Sequence, residues 1–137
     1  MTDYPSSGTG GSATIGANSE DANSVFAEQT SGTVYVSALL NISAVSTGGG
    51  YFLHFMDGGT AYPTRVWAKD NGSGKILFGV GFSGLTNWGT TAFDYNNTYL
   101  LVASYNITTG VSNLYVLPSA VTTMPETPEV TAALAAP

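Results

Sequence analysis

The residues best suited to recognise something lie between Tyr62 and Trp88. Arg65, Lys69 and Lys75 are all the basic residues the chain has, and two of them flank Trp67 in the run TRVWAK. Alternate residues of an extended strand share a face, so Arg65, Trp67 and Lys69 stand on one side and Val66 and Ala68 on the other. Lys75 opens the next run, KILFGVGF. Pairing Lys69 with Lys75 around Asp70-Asn-Gly-Ser-Gly74 sets Trp67 opposite Leu77 and Arg65 opposite Gly79. The result is a positive island around an aromatic ring on a chain of net charge −6. A tryptophan can stack on the C–H face of a sugar, and Arg or Lys can hold a carboxylate or a sulfate. Tyr62 and Trp88, read as loop residues, extend this ligand-binding platform if the fold brings them near. The competing reading is a tryptophan covered by its cationic neighbours, which stabilises the sheet and binds nothing.

Other chemistry has less to stand on. Two loops, Asp70-Asn71-Gly-Ser and Asp94-Tyr-Asn96-Asn97, offer the hard oxygens that Ca²⁺ takes, and the same residues are equally ordinary turn formers. Glycoside hydrolysis requires two carboxylates flanking one bond, roughly 5–10 Å apart. Glu20 and Asp21 are adjacent and point to opposite faces of a strand, whereas Asp57, Asp70 and Asp94 sit in Gly/Asn turns. His54, the single histidine, falls in YFLHFM, where strict alternation groups it with Phe52 and Met56. It has no second ligand or carboxylate at local spacing, and a strand histidine bonded to a backbone carbonyl is the plainer reading. No Gly-x-Ser-x-Gly elbow is present. The expectation is a protein without catalytic activity. Asn-x-Ser/Thr sequons at Asn41, Asn71, Asn96 and Asn106 matter only in a eukaryotic source.

These side chains must be positioned by β-structure. Tyr99 to Pro118, YLLVASYNITTGVSNLYVLP, reads as two strands joined at Asn106-Ile-Thr-Thr-Gly110. Gly110 supplies a positive φ for the loop, and Pro118 ends the second strand. Thr33 to Ile42 alternates cleanly, with Val34, Val36, Ala38, Leu40 and Ile42 on one face and Leu39 as the exception. Tyr51 to Met56 is a short apolar strand. Thr64–Lys69 and Lys75–Phe82 form a second hairpin whose core face is Val66, Ala68, Ile76, Phe78, Val80 and Phe82. Weaker strands are expected at 13–15, 25–27 and 90–93, with a turn at Glu20-Asp21. Helical periodicity is absent before residue 118, so the chain is read as all-β.

Composition narrows the setting. One domain is the reasonable count for 137 residues. Hydrophobic residues make up 43% and aromatic residues 12%, enough for a core. Charged residues are only 9%, so solubility rests on Ser, Thr, Asn and Gly, as in many extracellular β proteins. Three basic residues against nine acidic ones leave no footprint for nucleic acid. No apolar run reaches the length of a membrane span. With no cysteine there is neither a disulfide framework nor a thiolate metal site. Met1-Thr-Asp-Tyr-Pro is not a signal peptide, and the chain reads as a domain excised from something longer.

Residues 32–118 together resemble the laminin-G-like modules of the concanavalin A-like lectin/glucanase superfamily. GTVYVSALLNISAV, a glycine break and YFLHFM look like the opening strands of that jelly roll. RVWAKDNGSGKILFGV looks like its central hairpin, and residues 99–118 look like its penultimate one. Jelly-roll modules of large secreted bacterial proteins are similar. The resemblance implies a two-sheet antiparallel jelly-roll sandwich over residues 1–118 and an extended Pro/Ala/Thr-rich tail or linker over 119–137. It implies a secreted or cell-surface location and a structural Ca²⁺ held by Asp70 and Asn71 or by Asp94 and Asn96. The superfamily's glucanases carry Glu-x-Asp-x-Glu on one strand, a pattern missing here. Such modules carry one more strand after the Pro-rich stretch. This chain is read as lacking it, leaving an open edge or one filled by a partner.

The leading expectation is therefore a non-catalytic module that binds carbohydrate or another cell-surface polymer, with adhesion as its role. The alternative is a structural subunit that joins copies of itself through the tail or an open edge. A glycoside hydrolase is the third reading.

Overall fold

The computed structural model describes residues 1, 4, 8–16, 22–59, 62–82 and 84–133. The turn expected at Glu20-Asp21 lies outside these. Eight strands form among the described residues, in two antiparallel four-stranded sheets. One sheet has the order β1-β6-β7-β8, built from β1 (Thr33–Asn41), β6 (Thr98–Asn106), β7 (Val111–Leu117) and β8 (Val130–Ala133). The other has the order β2-β3-β4-β5, built from β2 (Gly50–Phe55), β3 (Thr64–Asp70), β4 (Ile76–Phe82) and β5 (Leu85–Trp88). The architecture is an all-β sandwich.

The inner faces meet as the alternation requires. Val66 and Ala68 of β3 and Ile76, Phe78 and Val80 of β4 are at most 1% exposed, and they pack with Leu101, Ala103, Leu114 and Val116 of the facing sheet. Phe78, Phe93 and Tyr99 stack edge to face with ring centroids 5.2–5.3 Å apart, the arrangement aromatic quadrupoles favour. Thr64 of β3 and Ser112 of β7, both fully buried, join the two sheets through a hydroxyl–hydroxyl bond of 2.6 Å. Leu39, the exception in β1, lies beside Leu100, which in turn lies beside Leu117. This apolar strip runs along the outer face of that sheet.

Several expectations are corrected. The segment after Pro118 is not an extended tail throughout, and the final strand is not missing. β8 pairs with β7, from Val111 opposite Ala133 to Leu114 opposite Val130. Val130 and Ala132 enter the core because the alternation of Val-Thr-Ala-Ala places them inward. Asn87 Nδ2 donates to the Thr131 carbonyl, and the Glu129 carboxylate accepts from the Thr91 N–H, so β8 is also fastened to β5 and the residues after it. Residues 13–15 and 25–27 form no strand. Ile15, Val25 and Phe26 are exposed, since neither short run finds a sheet edge to pair with. In 90–93 a single bridge, Phe93 to Ile76, replaces the expected strand, and Trp88 lies in β5 rather than in a loop.

The register of the β3–β4 hairpin is shifted by two residues. Lys69 stands opposite Leu77, Trp67 opposite Gly79 and Arg65 opposite Gly81. The cause is the loop. Asp70 Oδ1 accepts from the Gly72 N–H, and Asn71 Oδ1 accepts from the N–H groups of Ser73 and Lys75. Gly72 and Gly74 supply the positive φ angles these turns need. Five residues, 71–75, are thereby held in the loop, Lys75 among them. A shift of two preserves parity, so every side chain within β3 and β4 keeps its expected face.

Candidate ligand-binding face

The outer face of β2-β3-β4-β5 gathers most of the residues singled out from sequence. Trp67 of β3 and Trp88 of β5 stand opposite Gly79 of the intervening β4. A β-carbon on Gly79 would lie within 3.0 Å of the Trp88 ring, and one on Gly49 within 3.3 Å of the far edge of that ring. The Trp88 indole therefore lies down across the glycine trough of β4 and reaches β3. There the Lys69 ammonium sits 4.1 Å from its centroid. Beside Lys69 a shallow hollow of about 310 Å³ is lined by Thr47, Asp70, Asn71, Gly72 and Leu77, the Asp70 carboxylate being engaged by the Gly72 N–H and the Tyr95 hydroxyl.

Arg65 is the centre of a second cluster. Its guanidinium lies 4.7 Å from the Tyr51 ring centroid and 4.6 Å from that of Tyr62. Both are cation–π distances. Tyr51 also packs edge-on against Trp67 at 5.4 Å, and Tyr62 against His54 at 4.7 Å. The sequence reading places neither Tyr51 nor His54 in this cluster, grouping His54 with Phe52 and Met56, and a bulge in β2 explains why. Tyr51 pairs with Trp67, but Leu53 pairs with Val66 and His54 with Arg65, leaving Phe52 as the extra residue. Phe52 and Leu53 both pack on the core, so alternation resets and His54 joins Tyr51 and Arg65 outside rather than Phe52 and Met56. Two consecutive core-type residues between two polar aromatics are the signal that marks such a bulge.

Lys75 does not belong to this face. It is held in the hairpin loop and pairs with the Asp94 carboxylate, which raises its pKa above the usual lysine value. Arg65 and Lys69 have no carboxylate partner among the described residues. The Nε of Arg65 and the Nε1 of Trp67 are buried N–H donors without an acceptor in the described protein.

The oxygens of the two loops read as Ca²⁺ ligands accept hydrogen bonds from the protein itself. Asp70 Oδ1 accepts from Gly72 N and Oδ2 from the Tyr95 hydroxyl at 2.7 Å. The Tyr95 bond is the largest cause of a carboxyl pKa below the ordinary value of 3.8. Asn71 Oδ1 is occupied by two backbone donors, and Asp94 by Lys75. Asn96 adopts a left-handed turn, φ 61°. These oxygens hold turns and an ion pair together, and no group of three or more His, Cys, Asp or Glu is gathered among the described residues. No helix among them is long and apolar enough to cross a membrane.

Compared with protein families, with curated proteins and with solved structures, the chain shows no match. The fold and its surface therefore carry the functional argument: an all-β sandwich of two four-stranded antiparallel sheets with one aromatic and cationic outer face.

Proposed function

We propose that this protein is a non-catalytic binding module of the laminin-G-like, concanavalin A-like jelly-roll kind. It acts outside the cell or at its surface, and the outer face of β2–β5 takes carbohydrate or another cell-surface polymer in an adhesive role. The observation that carries this reading is the cluster around Arg65. Tyr51, 47% exposed, His54, Tyr62 and Trp67 form an aromatic surface on β2, β3 and the residues between them, where sugar C–H faces stack and the terminal N–H groups of Arg65 meet sugar oxygens. Binding to an array of neutral and charged oligosaccharides tests it. Tyr51→Ala, at an exposed ring, abolishes binding while leaving the melting temperature nearly unchanged. Retained binding in that variant moves the site elsewhere.

A structural subunit is the second reading, favoured by a different observation. β1 is a nine-residue edge strand without proline or charge to block pairing. Tyr35 within it and Val25 and Phe26 before it are 63%, 93% and 64% exposed. A second copy pairing along β1 would cover them. Light scattering decides this. Concentration-dependent growth that a Ser37→Pro substitution in β1 prevents favours assembly, and a monomer at all concentrations removes it.

A further inference from the structure

The charges on this face specify the ligand further. Among nine acidic and three basic residues, a cation would ordinarily find a carboxylate, and Lys75 does. Arg65 and Lys69 do not. Both stand on the β2–β5 outer face, whose strand residues include no Asp or Glu alongside Tyr51, His54, Trp67, Leu77 or Thr86. Aromatic rings occupy the neighbouring positions instead. Tyr51 and Tyr62 lie against the Arg65 guanidinium; its Nε–H is buried, which leaves the terminal Nη–H groups as the donors for a planar or tetrahedral oxyanion. Packing against rings fixes the guanidinium in advance, so little further order is lost when an anion arrives.

The second cation is placed for the same ligand. Arg65 and Lys69 are four residues apart on one strand, about 13 Å along it. Arg65 leans toward β2 and Lys69 toward the Trp88 ring of β5. The line between them crosses the sheet diagonally over Trp67, whose buried Nε1 lacks an acceptor, and ends at the hollow beside Lys69. A single small anion meets only one of these cations. An extended chain of sugars bearing acidic groups meets both and lays its apolar faces on the rings between.

Resting on the carbohydrate reading above, we propose that the ligand is a linear acidic glycan, with one carboxylate or sulfate held by Arg65 and another, further along the chain, by Lys69. The test is calorimetric titration of the full chain with three tetrasaccharides of similar length: an oligogalacturonate, a sulfated oligosaccharide and a neutral glucan. The expected result is binding of one or both acidic ligands at least tenfold tighter than the neutral one, weakening as salt rises. The two acidic arms separate carboxylate from sulfate recognition. Arg65→Gln weakens the acidic ligand on the order of ten- to a hundredfold. Arg65→Lys, which keeps the charge but loses the planar fork, recovers only part of this. Lys69→Gln weakens the tetrasaccharide but not the corresponding monosaccharide acid, and its position beside a ring makes it the variant least prone to disturb folding. Equal affinity for acidic and neutral chains overturns the assignment of charge while leaving a carbohydrate module in place. Absence of binding to all three overturns both.

Discussion

At the scale of single residues, the polar groups that matter most to stability are few and paired. Thr64 and Ser112 are fully buried, and their 2.6 Å bond links the two sheets through the core. Removing one partner strands the other hydroxyl away from water, so Thr64→Val or Ser112→Ala costs about 1–3 kcal/mol. The double substitution recovers part of that loss, because no unsatisfied group remains; urea unfolding of the three variants measures both numbers. The Tyr95–Asp70 bond ties stability to pH at both ends. Asp70 has a folded pKa below 3.8, chiefly from Tyr95, so its contribution is complete above that value and disappears as pH falls through the lowered one. Tyr95, half-buried and donating to Asp70, is pushed up from 10.0 to about 12, chiefly by loss of solvent. Its contribution is complete below 10 and is lost as pH rises through the raised value. Tyr95→Phe is accordingly less stable than the parent at neutral pH. The gap between the two closes in strong acid and above pH 12, as melting temperatures across the range would record. A constant gap would mean that the phenol contributes by packing alone.

At the scale of elements, legibility follows the strength of the local pattern. β1, β3 and β7 can be read in the sequence because seven to nine residues largely alternate in burial, and β4 and β6 because long apolar runs bounded by turn residues mark them. β5 and β8 cannot, since four residues each carry too little periodicity and owe their pairing to neighbours: β5 to the glycines of β4, β8 to the exposed flank of β7. The same division holds for the candidate site. Arg65, Trp67 and Lys69 share a face by parity alone, which survived a two-residue error in register. His54 and Tyr51 depended on a bulge, and Lys75 on a loop whose length was set by two side-chain–backbone turns. Tertiary pairing decided what local spacing could not. Gly81 tests the β4–β5 contact directly. A β-carbon there would stand 1.9 Å from the Leu85 carbonyl oxygen, backbone that cannot step aside without breaking the pair. Gly81→Ala therefore detaches β5 and moves the Trp88 ring off Gly79 and Lys69. The expected readout is a red-shifted tryptophan emission and a lower melting temperature. Gly72→Ala, at an open turn where a β-carbon meets nothing, costs only the strain of a positive φ.

At the scale of the whole molecule, neither sheet has a core of its own. Phe78 and Val80 from one sheet and Leu101, Leu114 and Val130 from the other belong to a single buried cluster, and β8 is bonded both to β7 and to the β5 region. Separating the sheets would expose all of that apolar surface at once, so no half-folded state has enough burial left to offset the entropy of ordering it. The pairing is also distant in sequence: Thr33 at the start of β1 lies against Asn106 at the end of β6, 73 residues away. Loop closure must therefore precede most of the stabilising contacts, which places refolding in the millisecond-to-second range typical of sandwiches. The two tryptophans make this testable, because both lie in the β2–β5 sheet and their fluorescence reports on it alone, while far-UV circular dichroism reports on every strand. The two signals should lose amplitude at the same urea concentration and recover with the same single rate. Fluorescence changing at lower urea than the dichroism would show the β2–β5 sheet, and with it the candidate binding face, opening as an independent unit from a β1-β6-β7-β8 layer that holds together without it.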